Sequence, residues 1–140
     1  MAGAKAIGAG VADYHTQSHP IQARIESVME DLTSLSVDEH KWVLDSCNMC
    51  TPAIPPQSLV RVLASLRTQA MARIFDAMVR YPDNIGSDGR FCSVLIKTYD
   101  GALVGKGGGD GCYAVGIRES EDTRRVGAQG GIGIALKIED

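Results

Sequence analysis

Apolar residues recur at helical spacing in two long stretches of the chain. Ile21, Ile25, Val28 and Leu32 form one stripe, with Gln22, Arg24, Glu26, Glu30 and Asp31 on the other faces. They predict an amphipathic helix running from Pro20 to about Leu35, with Ser18 as its cap and proline in its first turn. Leu59, Leu63, Leu66, Ala70, Ile74 and Met78 form the second stripe, and no glycine or proline interrupts Gln57 to Tyr81. This is core-facing helix, one long element or two in tandem broken near Arg67 to Gln69. Tyr81-Pro82 ends it, and Asn84 to Gly89 is composed of turn formers. Phe91, Val94, Leu95 and Ile96 satisfy both the helical and the extended period. Ala2 to Ala12 reads as a short helix weakened by Gly3, Gly8 and Gly10.

The extended pattern lies elsewhere. Trp42, Val43 and Leu44 mark a strand over Lys41 to Cys47, after which Pro52, Pro55 and Pro56 prescribe an irregular loop. The chain then changes character, since thirteen of its sixteen glycines lie from Gly86 onward. Two strands, Ala102 to Lys106 and Cys112 to Ile117, are joined by a turn of four glycines and Asp110. Charges of both signs over Glu119 to Arg125 suit a solvated connector. Gly130 to Ile138 is the last strand, with Ile132, Ile134, Leu136 and Ile138 on one face and small residues beside Lys137 on the other. The fold class is therefore α+β: a small, mostly antiparallel sheet of strands near 42–47, 102–106, 112–117 and 130–138, covered by helices near 20–35 and 57–81. A length of 140 residues predicts a single domain.

Composition narrows the function. A net charge of −3, no basic block and 5% aromatic residues exclude a nucleic-acid-binding surface. No apolar run predicts a membrane span, and the first ten residues lack the pattern of a signal peptide. Four cysteines in that setting predict reduced thiols and a cytoplasmic protein. A small-molecule substrate is the partner that remains.

Candidate chemistry gathers at two places. The glycine turn leaves Lys106 at a strand end beside exposed backbone N–H groups, where Gly107 and Gly108 permit close approach by a negatively charged or carbonyl-bearing molecule. A plain hairpin with a surface lysine satisfies the same residues. Cys47 and Cys50 are spaced so that both thiolates reach one zinc or close a disulfide, and Cys112, Cys92 or a histidine would complete a metal site. Incidental cysteines are the alternative, and the prolines that follow disfavour a redox motif. His19 is a candidate site neighbour or a helix-start cap. Lys137 is a candidate catalytic amine or an edge-strand lysine.

The run from Ile85 to Asp140, IGSDGRFCSVLIKTYDGALVGKGGGDGCYAVGIRESEDTRRVGAQGGIGIALKIED, resembles the later part of the asparaginase II family, which carries a GRF segment, a KGG-type glycine turn and a final GIALKI-ED strand. SHPIQARI at Ser18 to Ile25 and LDSCNMCTPAIP at Leu44 to Pro55 agree with the family in the same order. The resemblance implies a reduced serine β-lactamase/glutaminase-like fold, with a helix near Arg90 to Tyr99. It also implies that residues 1–140 form a single truncated domain matching the middle-to-late part of a full-length member. The family's Ser-x-x-Lys and Cys-Ser-Gly-Lys segments have no counterpart in it, and a homo-oligomer would rebury the apolar surface thus left open.

By the same resemblance Asp45 is a polar group near the substrate, Cys47 a zinc ligand, His19 an active-site neighbour and Lys137 a lysine near the active site. Lys106-Gly107-Gly108 stands where the fold's Lys-x-Gly signature lines the catalytic cleft. The implied activity is hydrolysis of L-asparagine to L-aspartate and ammonia, with Thr51 or a cysteine as nucleophile and Lys106 or Lys137 as base. Two alternatives stand beside it. One is a reshaped isomerase, lyase or cyclase acting on a small metabolite, including one of secondary metabolism, through Asp45, Cys47, Lys106 and Cys112. The other is a non-catalytic ligand-binding or partner subunit.

Overall fold

The computed structural model describes residues 1–39, 41–45, 47–64, 69–109 and 111–139. Ser46, Leu66, Arg67 and Asp110, together with the side chains of Leu63 and Ala70, lie outside that set. The chain divides into two compact units, Met1–Pro55 and Pro56–Asp140.

The first unit contains helices α1 (Ala2–Ala6) and α2 (Pro20–Thr33), a 3₁₀ turn at Val37–Glu39, and strands β1 (Lys41–Leu44) and β2 (Cys50–Ala53). The cap of α2 is His19 and not Ser18: its Nδ1 accepts the Ile21 N–H at 3.1 Å, and its Nε2 lies 3.0 Å from the Gly10 carbonyl oxygen. Pro20 has no N–H to offer, so Ile21 supplies the first donor in need of a cap. The buried face of α2 also differs from the apolar stripe. Gln22 and Thr33 are 1% and 0% exposed, whereas Val28 is 37% exposed. The Gln22 amide nitrogen donates to the Tyr14 carbonyl at 2.9 Å and the Thr33 hydroxyl to that of Met29 at 2.6 Å, while the buried Gln22 Oε1 has no partner among the described residues.

β1 pairs antiparallel with β2, from Lys41 opposite Ala53 to Leu44 opposite Cys50. The proline-containing stretch after β1 is therefore a strand where an irregular loop was expected. In a two-stranded ribbon every strand is an edge, and an edge accommodates the missing N–H of Pro52.

The second unit holds α3 (Pro56–Ala64), α4 (Gln69–Arg80), α5 (Asp83–Gly86), α6 (Phe91–Thr98), β3 (Leu103–Gly107), β4 (Cys112–Ile117), α7 (Glu121–Arg125) and β5 (Ile132–Lys137). Its sheet is antiparallel in the order β3-β4-β5, so the strands fall into two sheets and not one. The stretch 90–99 takes the helical option. The charged stretch beginning at Glu119 is a connector only at its start, because Ser120 and Thr123 form a reciprocal capping box, at 3.2 and 2.8 Å, that nucleates α7. Glu121 and Asp122 then sit in its first turn and Arg124 and Arg125 in its last, matching the helix dipole.

Phe75, Ile96 and Val104 form the core of this unit, 1%, 1% and 4% exposed, with Met78, Val79 and Ile85 packed on them. Ile74, a member of the predicted stripe, is 52% exposed. The phase of α4 is set by Phe75, whose ring lies 4.1 Å beneath the Arg118 guanidinium while Arg118 also pairs with Asp76. Helix α3 lies directly on β5: a Cβ at Gly133 would stand 2.5 Å from the Val60 carbonyl oxygen. No helix among the described residues is long and apolar enough to cross a membrane.

Candidate active site

The glycine turn forms one wall of a cleft of about 340 Å³ in the second unit. Lys106 and Gly107 come from the end of β3 and Gly108 from the turn after it, and the cleft is also lined by Asn84 of α5, Ser87 and Arg90 of the α5–α6 connection and Cys92 of the first turn of α6. The turn is closed by the Gly108 N–H donating to the Cys112 carbonyl at 2.8 Å and the Cys112 N–H donating to that of Gly109 at 3.1 Å. Lys106 is exposed, and its ammonium donates to the Gly107 carbonyl at 2.5 Å.

The opposite wall is tied down twice. Ser93, fully buried, donates its hydroxyl to the carbonyls of Ser87 and of Arg90, the latter at 2.9 Å. Lys97 bridges Asp83 at 2.7 Å and Asp88 at 3.0 Å. Hydrogen bonding from Lys97 holds the Asp88 carboxyl below its usual range, and bonding to Asp83 and then Asp88 holds the Lys97 ammonium above its own. Both acids near the cleft are thereby engaged away from it.

Cys92 is the residue that sequence reasoning under-weighted. Its sulfur accepts the Gly107 N–H at 3.4 Å and the Tyr113 hydroxyl at 3.5 Å. Burial, followed by the bond to Cys92, raises the Tyr113 phenol far above its usual range. The only sequence signal for Cys92 is that it follows Gly89-Arg90-Phe91 at the start of a helix.

The remaining candidates lie in other settings. Asp45, Cys47, Cys50 and Thr51 are gathered at the β1–β2 turn of the first unit. One Asp45 carboxylate oxygen accepts the N–H groups of Cys47 at 2.8 Å and Met49 at 2.9 Å, and the other accepts the Thr51 hydroxyl at 3.4 Å, so Asp45 organises the turn. Cys47 is exposed and Cys50 buried, with the Cys50 N–H donating to the His15 carbonyl at 3.0 Å. His19, in the same unit, is occupied as the cap of α2 through one ring nitrogen and approaches Gly10 through the other. Cys112 and Lys137 are directly opposite each other on β4 and β5, both exposed. Among the described residues no three His, Cys, Asp or Glu side chains gather as a metal site. The two cysteines of the β1–β2 turn thus supply at most half of a tetrahedral set there.

The family model for L-asparaginase II matches residues 1–140, the whole chain. The chain belongs to that family. Curated protein sequences contain no match to it. In this asparaginase II family member Arg90 of the GRF segment and the KGG turn, separate in sequence, line one cleft. The N–H groups of Gly107 and Gly108 are engaged by Cys92 and Cys112, so what the cleft offers an amidase is a cation beside a pocket that admits a small polar molecule.

Proposed function

We propose that this protein is an amidohydrolase that converts L-asparagine to L-aspartate and ammonia, with the cleft at the glycine turn as its reaction site. Membership of the L-asparaginase II family supports the reaction class. The single observation that carries the reading is the cleft itself, which sets Lys106 against Arg90 and Cys92 beside the turn.

In the reaction a nucleophile adds to the side-chain carboxamide carbon, the C–N bond breaks, and water supplies the oxygen that completes the carboxylate. Lys106 moves the proton from the attacking group to the departing nitrogen, which leaves as ammonia. Glycine at 107 and 108 keeps that side of the cleft free of side chains.

Ammonia release from L-asparagine and L-glutamine by the purified protein, with and without added zinc, tests the reading. Release favouring L-asparagine supports it. A folded protein that releases none from either substrate in any arm assigns the cleft to non-hydrolytic chemistry. Zinc dependence that disappears in Cys47→Ala would make Cys47 a zinc ligand.

A further inference from the structure

The charge of the cleft selects its ligand. Arg90 and Lys106 both line it, and among the described residues no carboxylate does. The neighbouring acids Asp83 and Asp88 are held by Lys97 on their own side. Arg90 is exposed, and its guanidinium has no ion pair or hydrogen bond among the described residues. Asn84 and Ser87 add neutral hydrogen-bonding groups on the same wall. The half-buried Cys92 lines the same cleft, and its sulfur receives one hydrogen bond from the Gly107 backbone and one from Tyr113.

A planar, bidentate donor and a mobile ammonium lining one cleft suit a carboxylate, the guanidinium for geometry and the amine for charge. The two donors fix the position of the sulfur beside the turn. We propose that the cleft is a small-carboxylate site anchored by Arg90, in which the bound molecule is held against the Cys92 thiol. The inference deepens the amidohydrolase reading by assigning the substrate's carboxylate to Arg90, and it rests on that reading only for the identity of the natural ligand.

Alkylation of the protein's thiols tests it without any measurement of turnover. Iodoacetate carries a carboxylate, whereas iodoacetamide is neutral. With either reagent the thiol sulfur forms a bond to the methylene carbon, iodide leaves and the thiol proton passes to solvent. Peptide mapping by mass spectrometry gives the rate at each cysteine. The iodoacetate-to-iodoacetamide rate ratio at Cys92 should exceed that at the more exposed Cys112 by about tenfold, a steering effect of two cations that falls as salt rises. L-Aspartate should protect Cys92 and leave Cys112 unprotected, and Arg90→Gln should bring the two ratios together while Arg90→Lys keeps part of the difference. Equal ratios at Cys92 and Cys112 in the native protein, or a ratio at Cys92 indifferent to salt and to L-aspartate, would overturn the proposal. Ammonia release and thiol alkylation fail separately: selective alkylation without ammonia release leaves the carboxylate site standing and removes the hydrolytic reading.

Discussion

The hydroxyl of Tyr113 donates to the sulfur of Cys92 across 3.5 Å, joining the sheet to the first turn of α6. Gly105 makes the approach possible, since a Cβ there would stand 2.7 Å from the Tyr113 hydroxyl oxygen and 2.8 Å from Leu95. Cys92, which lines the cleft, is thus held from behind by two residues distant in sequence, Gly105 making room for Tyr113.

Tyr113 should be the last of the four tyrosines to ionise as the pH rises. Its phenol is raised first by burial and then by Cys92, so the folded state holds that proton more tightly than the unfolded chain does. The stabilisation is complete below the ordinary tyrosine range and is lost as the pH climbs above it. Titration of the phenolate ultraviolet band checks this: Tyr113→Phe should remove the final step and leave the earlier ones. Loss of an early step would contradict the assignment.

Gly133→Ala should destabilise the second unit by about 1–3 kcal/mol, because the added methyl meets the backbone of α3 and not a movable side chain. Gly10→Ala is the control, with no atom within 4 Å of the new Cβ. Urea unfolding of the two variants measures the difference, the first shifting the midpoint downward and the second leaving it nearly in place.

His19 acts on α2 through its cap. Its replacement by alanine should cost about 1 kcal/mol of stability, whereas asparagine, itself a good cap, should recover most of that. Circular dichroism during thermal unfolding reads both. If His19→Asn proves as damaging as His19→Ala, the contact to Gly10 outweighs the cap.

Much of the sheet of the second unit was legible in the sequence because glycine and β-branched residues leave few alternatives over Leu103 to Ile117 and Ile132 to Lys137, whereas α7 between them was not. The hairpin, its turn and the last strand follow directly from that pattern. Where helices bury was less legible. The buried faces of α2 and α4 turn on Gln22, Thr33 and Phe75, and their burial depends on partners that periodicity does not contain: the Tyr14 carbonyl, the Met29 carbonyl and the Arg118 guanidinium. The ribbon β1–β2 was half visible, since prolines argue against strand until the partner makes it an edge. At the candidate site, Lys106 and the two glycines after it could be picked out by their turn. Cys92 could not, because its two donors, Gly107 and Tyr113, reach it only in the folded chain.

Ammonia release from L-asparagine by the native protein and by Lys106→Met, compared at matched folding, tests the central claim most directly. If Lys106 in the cleft moves the proton, the native protein releases ammonia and the variant is slower by about 10²-fold or more. Equal release by both would contradict a role for Lys106, and a folded native protein that releases none would contradict the hydrolytic reading itself.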